Sequence, residues 1–304
     1  MIFFFLFKIE LNLLLIIIPK SHYKMSTIDQ KNIEMLTNAV KNDDLTMIED
    51  LLIKGTDPYA SIHEFFGSPF FIAIRLSKLE IIEKFIIHGI DINKPNKNDH
   101  TPLYSACINN LPNVVELLIK HDVDINNPNI NNGDTPLHAA IWYDLPNNII
   151  ELIINKGADI NKPNNAGYTP LMVAIVMGNN YIIQLLIKMG TDINKPSKNG
   201  NTPLIIAVNQ NHPYIVKRIL EKGANPHTKT KAGETALEYA IKKKYIEIIN
   251  IIKSYIKTQF LYTCIGLRKQ QFGDNVLFEI GKHFLESEKE IITIINQSNK
   301  HIEK

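Results

Sequence analysis

Scarcity is the first thing this chain shows, and each scarcity removes a class of protein. Two cysteines, Cys107 and Cys264, stand far apart in 304 residues. They form no disulfide framework, and their number suits a reducing compartment. Formal net charge is only +2, and no basic stripe interleaved with aromatics occurs, so the chain carries no electrostatic footprint for nucleic acid. The densest basic run, Lys242-Lys243-Lys244, reads as a solvated helix end, where cations are favourable. Catalytic signatures are missing too. His63-Glu64 is followed by Phe65-Phe66-Gly67 and fails the helical zinc pattern His-Glu-x-x-His. No phosphate-binding glycine loop, Cys-x-x-Cys pair or local serine or cysteine nucleophile motif is found. The expectation is a protein that is not an enzyme, with no cofactor and no metal.

The most intensely apolar stretch is the first 24 residues, which begin MIFFFLFKIELNLLLIIIPK. As a membrane span this stretch is short, and it carries Lys8 and Glu10, which are costly near a bilayer centre. As a secretory signal it lacks a basic start and a small-residue cleavage site. Met25 opens a polar segment leading into the rest of the chain. Two readings stand: translation starts at Met25 and residues 1–24 are an extension of the gene model, or residues 2–18 are an uncleaved anchor. The first implies a cytoplasmic protein, the second a membrane-associated one.

What the chain has instead is a period. Thr101-Pro102-Leu103, Thr135-Pro136-Leu137, Thr169-Pro170-Leu171, Thr202-Pro203-Leu204 and Thr235-Ala236-Leu237 start 34, 34, 33 and 33 residues apart, and Ser68-Pro69-Phe70 precedes them by another 33. A unit of this length cannot bury a core alone and must lean on its neighbours. Residues 165–197 show the logic of one unit. The Thr169 hydroxyl caps a helix with Pro170 at its first position, where a missing N–H costs nothing. Leu171, Ala174 and Ile175 give that helix one apolar face. Gly178-Asn179-Asn180 breaks it, and Ile182, Ile183, Leu185, Leu186 and Ile187 build a second helix ending at Gly190. The polar run from Thr191 to Gly200 is rich in turn formers and predicts a projecting turn. Cys107 falls on the apolar side of a first helix as a small core residue.

The pattern Gly-x-Thr-Pro-Leu-x-x-Ala, a helix break, an apolar helix and then Gly-Ala-Asp-Ile-Asn resembles the ankyrin repeat. It is best matched by Gly133 to Ala140 with Gly157 to Asn161, and by Gly200 to Ala207 with Gly223-Ala224-Asn225. The resemblance covers about residues 31–256. It implies an all-α solenoid of helix-turn-helix units with projecting β-turns, about seven repeats including a degenerate N-terminal cap, at about 31–64, 65–97, 98–130, 131–164, 165–197, 198–230 and 231–256. Residues 1–30 precede the array. Residues 257–304 follow it, and Val276, Leu277, Ile280 and Phe284, then Ile291, Ile292 and Ile295, have helical spacing. Those helices either cap the last repeat or dock a second protein.

Ankyrin arrays resemble a cupped hand, with turn tips as fingers and first helices as palm, and family members bind proteins across it. Carried over, finger positions are His100, Asp134, Tyr168, Asn201 and Glu234; palm positions are Ile108 and Asn109, Trp142 and Tyr143, Val176 and Met177, Asn209 and Gln210. In the family, a histidine placed as His138 is tied near the helix start to an adjacent turn. The single tryptophan of the chain thus falls on the palm. Aromatics there bury much area at little rotamer cost, and the expected binding centre is Trp142, Tyr143, Tyr168 and Met177, flanked by His100 and Asp134. One extra residue lies in the turn before Trp142 and another in the loop Asp144 to Asn148 after it, and insertions in solenoids often shape the binding face. The expected function is a non-catalytic scaffold for an unidentified protein partner, with no homo-oligomer implied. An adaptor that delivers targets to a ubiquitin ligase or other enzyme, and a membrane-tethered array, are the alternatives.

Overall fold

The computed structural model describes residues 27–61 and 67–269, with side chains described as far as residue 260. The sequence readings for residues 1–24, for His63-Glu64, for the Cys264 side chain and for the helices around Val276 to Ile295 lie outside the described residues. All regular structure among the described residues is helical, and packing divides the chain at Ile90 into two compact units.

The first unit contains α1 (Thr27–Lys41), α2 (Leu45–Ile53), α3 (Pro69–Arg75) and α4 (Leu79–Ile87). Helix α1 packs on α2 and α3, and α3 on α4. Asp44 starts α2 by accepting the Met47 N–H at 3.0 Å. Leu36, Val40, Ile48, Leu51, Phe70 and Phe85 are buried, and the rings of Phe70 and Phe85 meet edge to face at 5.9 Å. Lys78 pairs with Asp43, and Lys84 with Glu49 at 2.8 Å, across successive hairpins. Such exposed pairs hold register more than they add stability.

The second unit stacks five hairpins: α5 (Pro102–Ile108) with α6 (Pro112–Lys120), α7 (Pro136–Trp142) with α8 (Asn147–Asn155), α9 (Pro170–Met177) with α10 (Asn180–Lys188), α11 (Pro203–Asn209) with α12 (Pro213–Glu221), and α13 (Ala236–Lys243) with α14 (Ile246–Lys269). First helices pack in series, α5 on α7, α7 on α9, α9 on α11 and α11 on α13. Their helix starts share one chemistry. The hydroxyls of Thr101, Thr135, Thr169, Thr202 and Thr235 accept the backbone N–H three residues on, each cap worth about 1 kcal/mol. Thr235 is followed by Ala236 where the other four have proline, and Glu238 completes its cap by accepting the Thr235 N–H at 2.6 Å. Leu103, Leu137, Leu171 and Leu204 are fully buried, as are Ala106, Ala140, Ala174 and Ala207, whose small side chains let neighbouring helices approach. Cys107 is buried among them, and burial pushes its thiol well above the ordinary range.

Beyond the helix ends the repeats are locked by backbone geometry that polar side chains complete. Asn93, Asn126, Asn161 and Asn194 each accept, through Oδ1, an N–H one repeat later, from Asp124, Asp159, Asp192 and Asn225, all at 2.8 Å. At the fingertips the Asn165, Lys198 and Lys231 N–H groups donate back to Asn132, Ala166 and Asn199 carbonyls at 2.8, 3.0 and 3.0 Å. Gly167 shows why glycine stands there: its φ is +83°, and a Cβ would sit 2.5 Å from the Lys198 nitrogen. The Lys242-Lys243-Lys244 run is exposed at the end of α13; Lys242 pairs with Glu234 at 2.7 Å, and Lys243 lies 5.8 Å from the Tyr239 ring centre.

Candidate functional site

Between the fingers before α7 and α9 and the exposed side of those helices lies a hollow of about 340 Å³. Four of the six residues expected at the binding centre line it: Trp142, Tyr143, Tyr168 and Asp134. Trp142 is the last residue of α7 and Tyr143 its C-cap, so both leave the helix pointing away from the packed core. They are 50% and 46% exposed. His100 does not line the hollow, but its ring lies 5.1 Å from that of Tyr104, which does. Met177 is 41% exposed at the end of α9 and stands outside the lining.

Among the lining residues outside the expected set are Tyr104, Asn132 and Asn164. Tyr104 occupies the third position of α5, the position His138 holds in α7, and from there a side chain reaches back toward the finger. Asn132 belongs to the longer finger. In the finger before α9, Asn164 N–H meets the Tyr168 carbonyl across a turn closed by Gly167 N–H on Asn164; in the finger before α7 the matching bonds run from Asn129 N–H to Asp134 and from Gly133 N–H to Asn129, one residue further. The added length carries Asn132, whose Nδ2 donates to Tyr104 Oη at 3.3 Å and to Asp134 Oδ2 at 2.7 Å. Asn164 Nδ2 donates to Asp134 Oδ1 at 2.8 Å. Each carboxylate oxygen is thus held by one amide, and the insertion belongs to the hollow. The second extra residue lies between Asp144, at φ +53°, and α8, where Leu145 is buried.

His138 forms the floor. Its Nδ1 accepts the Thr135 backbone N–H at 3.2 Å, so the proton sits on Nε2, which donates to the Tyr168 carbonyl at 2.9 Å. Burial holds its pKa below the ordinary imidazole value, against the opposing pull of the Tyr168 carbonyl and Asp134. The ring therefore stays neutral and committed at both nitrogens. It ties the start of α7 to the following finger and is not free to move protons. Burial likewise raises the Tyr104 phenol and lowers His100.

A larger opening of about 600 Å³ lies between α10 and α12. Its lining mixes Lys188, Arg218 and Lys222 with Glu151, and its tyrosines are engaged: Tyr181 Oη donates to Glu151 at 2.8 Å, and Gln184 to Tyr214 at 3.4 Å. Size alone does not make it the better site, because both of its tyrosine hydroxyls are already bonded within the lining. Among the described residues no group of three or more His, Cys, Asp or Glu side chains is placed to hold a metal ion, and no helix is long and apolar enough to cross a membrane.

Comparison with known proteins bears on this geometry. The family model described as ankyrin repeats (3 copies) matches residues 36–129, 70–164, 126–197 and 183–260. Among solved structures, the ankyrin repeat domain of Bcl-3, a member of the IκB protein family, superposes with a TM-score of 0.64 at 20% identity, covering 72% of this chain and 97% of that one. At that identity the likeness speaks for the fold. No curated protein matches.

Proposed function

The chain belongs to the ankyrin repeat family, and from that premise we propose that it is a non-catalytic scaffold holding a partner protein on the face built by α5, α7 and α9 and their fingers. Ankyrin repeats are in general protein-interaction modules, and stacked repeats present extended binding surfaces. The observation that carries the proposal is the convergence of Trp142, Tyr143 and Tyr168 on one hollow, with the tryptophan half exposed although every other first-helix residue of α7 is buried. Energy at interfaces concentrates in a few aromatic and arginine anchors. A tryptophan left uncovered at a helix end, beside a turn lengthened toward it, has the character of such an anchor. The rest of the machinery is structural, since His138 and the fingertip bonds are consumed in holding the hollow open.

Affinity purification with mass spectrometry, wild type against Trp142→Ala, tests the reading. The substitution is expected to weaken capture of the partner by about thirtyfold, the loss for a hot spot of about 2 kcal/mol, while the melting temperature stays close to that of the wild type because half of the ring is already in water. Undiminished capture by a folded Trp142→Ala protein would refute it.

A further inference from the structure

Resting on that docking reading, we propose that the hollow beside Trp142 is an arginine socket: it receives the guanidinium group of one arginine presented by the partner protein, laid against the exposed aromatic rings and paired with Asp134. Charge is the first argument. Among the described residues Asp134 is the only carboxylate lining the hollow, no lysine or arginine lines it, and His138 is neutral. The lining therefore holds one negative side chain and no positive one, in a half-buried place. Asn132 and Asn164 fix that carboxylate with one hydrogen bond to each oxygen. A carboxylate offers about four acceptor positions, so two remain for the parallel N–H groups of a guanidinium, and their direction is already set. The second argument is the tryptophan. No ring or cation stacks on Trp142 among the described residues, and its neighbour Tyr143 is almost as exposed.

The chemistry of the alternatives is poorer. An apolar side chain entering here would strip water from Asp134 without replacing it, which costs more than a lost neutral hydrogen bond. A lysine would supply charge, but its compact ammonium is strongly hydrated and has no plane to stack. Guanidinium is planar, weakly hydrated and matched to a carboxylate edge, and cation–π contacts favour it over ammonium.

The single tryptophan is the reporter for the test. The intact chain is titrated with capped pentapeptides carrying arginine, lysine or leucine at the centre of four glycines, and Trp142 emission is read. The arginine peptide is expected to give a saturable change and to bind about tenfold more tightly than the leucine peptide, the factor that about 1.4 kcal/mol of added attraction produces, with lysine between them. Asp134→Asn and Tyr143→Leu should each weaken arginine binding several-fold, Tyr143→Leu without lowering the melting temperature. Tyr143 is exposed enough to keep the test alive should Asp134→Asn disturb the fingers. Equal response to leucine and arginine, no saturable response, or unchanged arginine binding in both variants would overturn the socket. Free arginine binding as tightly as the peptide would overturn its assignment to a protein-borne side chain. A silent arginine titration alongside partner capture that still depends on Trp142 would refute the socket alone, whereas capture indifferent to Trp142→Ala would remove the docking reading itself.

Discussion

His138 is the residue on which two repeats depend. It accepts from the start of its own helix and donates to the carbonyl of Tyr168, thirty residues on. His138→Leu keeps the volume and deletes both bonds, leaving the buried Thr135 N–H unmet and the Tyr168 carbonyl with the Asn164 N–H alone. An orphaned buried donor costs about 1–3 kcal/mol, so the variant is expected to lose about that much, measurable by urea denaturation. The same ring gives a pH dependence of known sign. In the unfolded chain it titrates near the ordinary value of 6.5, and in the fold it takes a proton only at lower pH. Between the two the unfolded chain binds more protons, so stability rises with pH. The contribution is complete above about pH 6.5 and drains away as pH falls toward the folded value. His100 is shifted the same way by burial, so the wild type should destabilise on acidification and His138→Leu should do so less steeply.

At the scale of the element, the turns decide more than the helices. Gly167→Ala has to place a Cβ 2.5 Å from the Lys198 nitrogen at a φ of +83°, whereas at Gly190, also at φ +82°, nothing lies within 4 Å of the added atom. Left-handed strain alone costs about 1–2 kcal/mol, so Gly190→Ala is expected to lose about that much and Gly167→Ala clearly more, by comparison of chemical denaturation midpoints. The helices themselves were legible in the sequence because their signals are local: a hydroxyl, a proline and an apolar face within eight residues. Expected Thr169–Pro170 and Gly178 boundaries agree with α9, capped by Thr169 and closed by Gly178 at φ +67°. The hollow was legible only in part. Trp142, Tyr143, Tyr168 and Asp134 followed from their phase in the repeat, but Tyr104 and Asn132 depend on how a side chain one repeat earlier and an inserted residue reach across a turn. Met177 shared the phase of Tyr143 and still missed the lining, since phase gives the face of a helix and not the distance to its neighbour's finger.

The array as a whole should behave as a row of nearest neighbours, because α5, α7, α9, α11 and α13 each pack on the next in line. Stability in such a row is close to a sum over units and the contacts between adjacent ones. Excising residues 198–230 joins one repeat to another in phase and leaves every lining residue of the hollow in place. That shortened chain is expected to fold, with reduced helical ellipticity and the tryptophan emission of the parent. Excising 165–197 is an equal loss of length but removes Tyr168 and Val173, and its emission should shift toward that of a solvated indole. Circular dichroism and fluorescence on the two deletions separate a modular row from a cooperative whole.

The fingertip rungs, in which Asn165, Lys198 and Lys231 each reach back to the preceding turn, also have a mechanical side. Pulling neighbouring turns apart loads these bonds by peeling, one rung before the next, and never shears them together. Stretched from its ends, the array of the second unit is a compliant spring that gives way in small equal steps, each paying out about 110 Å of chain for a 33-residue repeat.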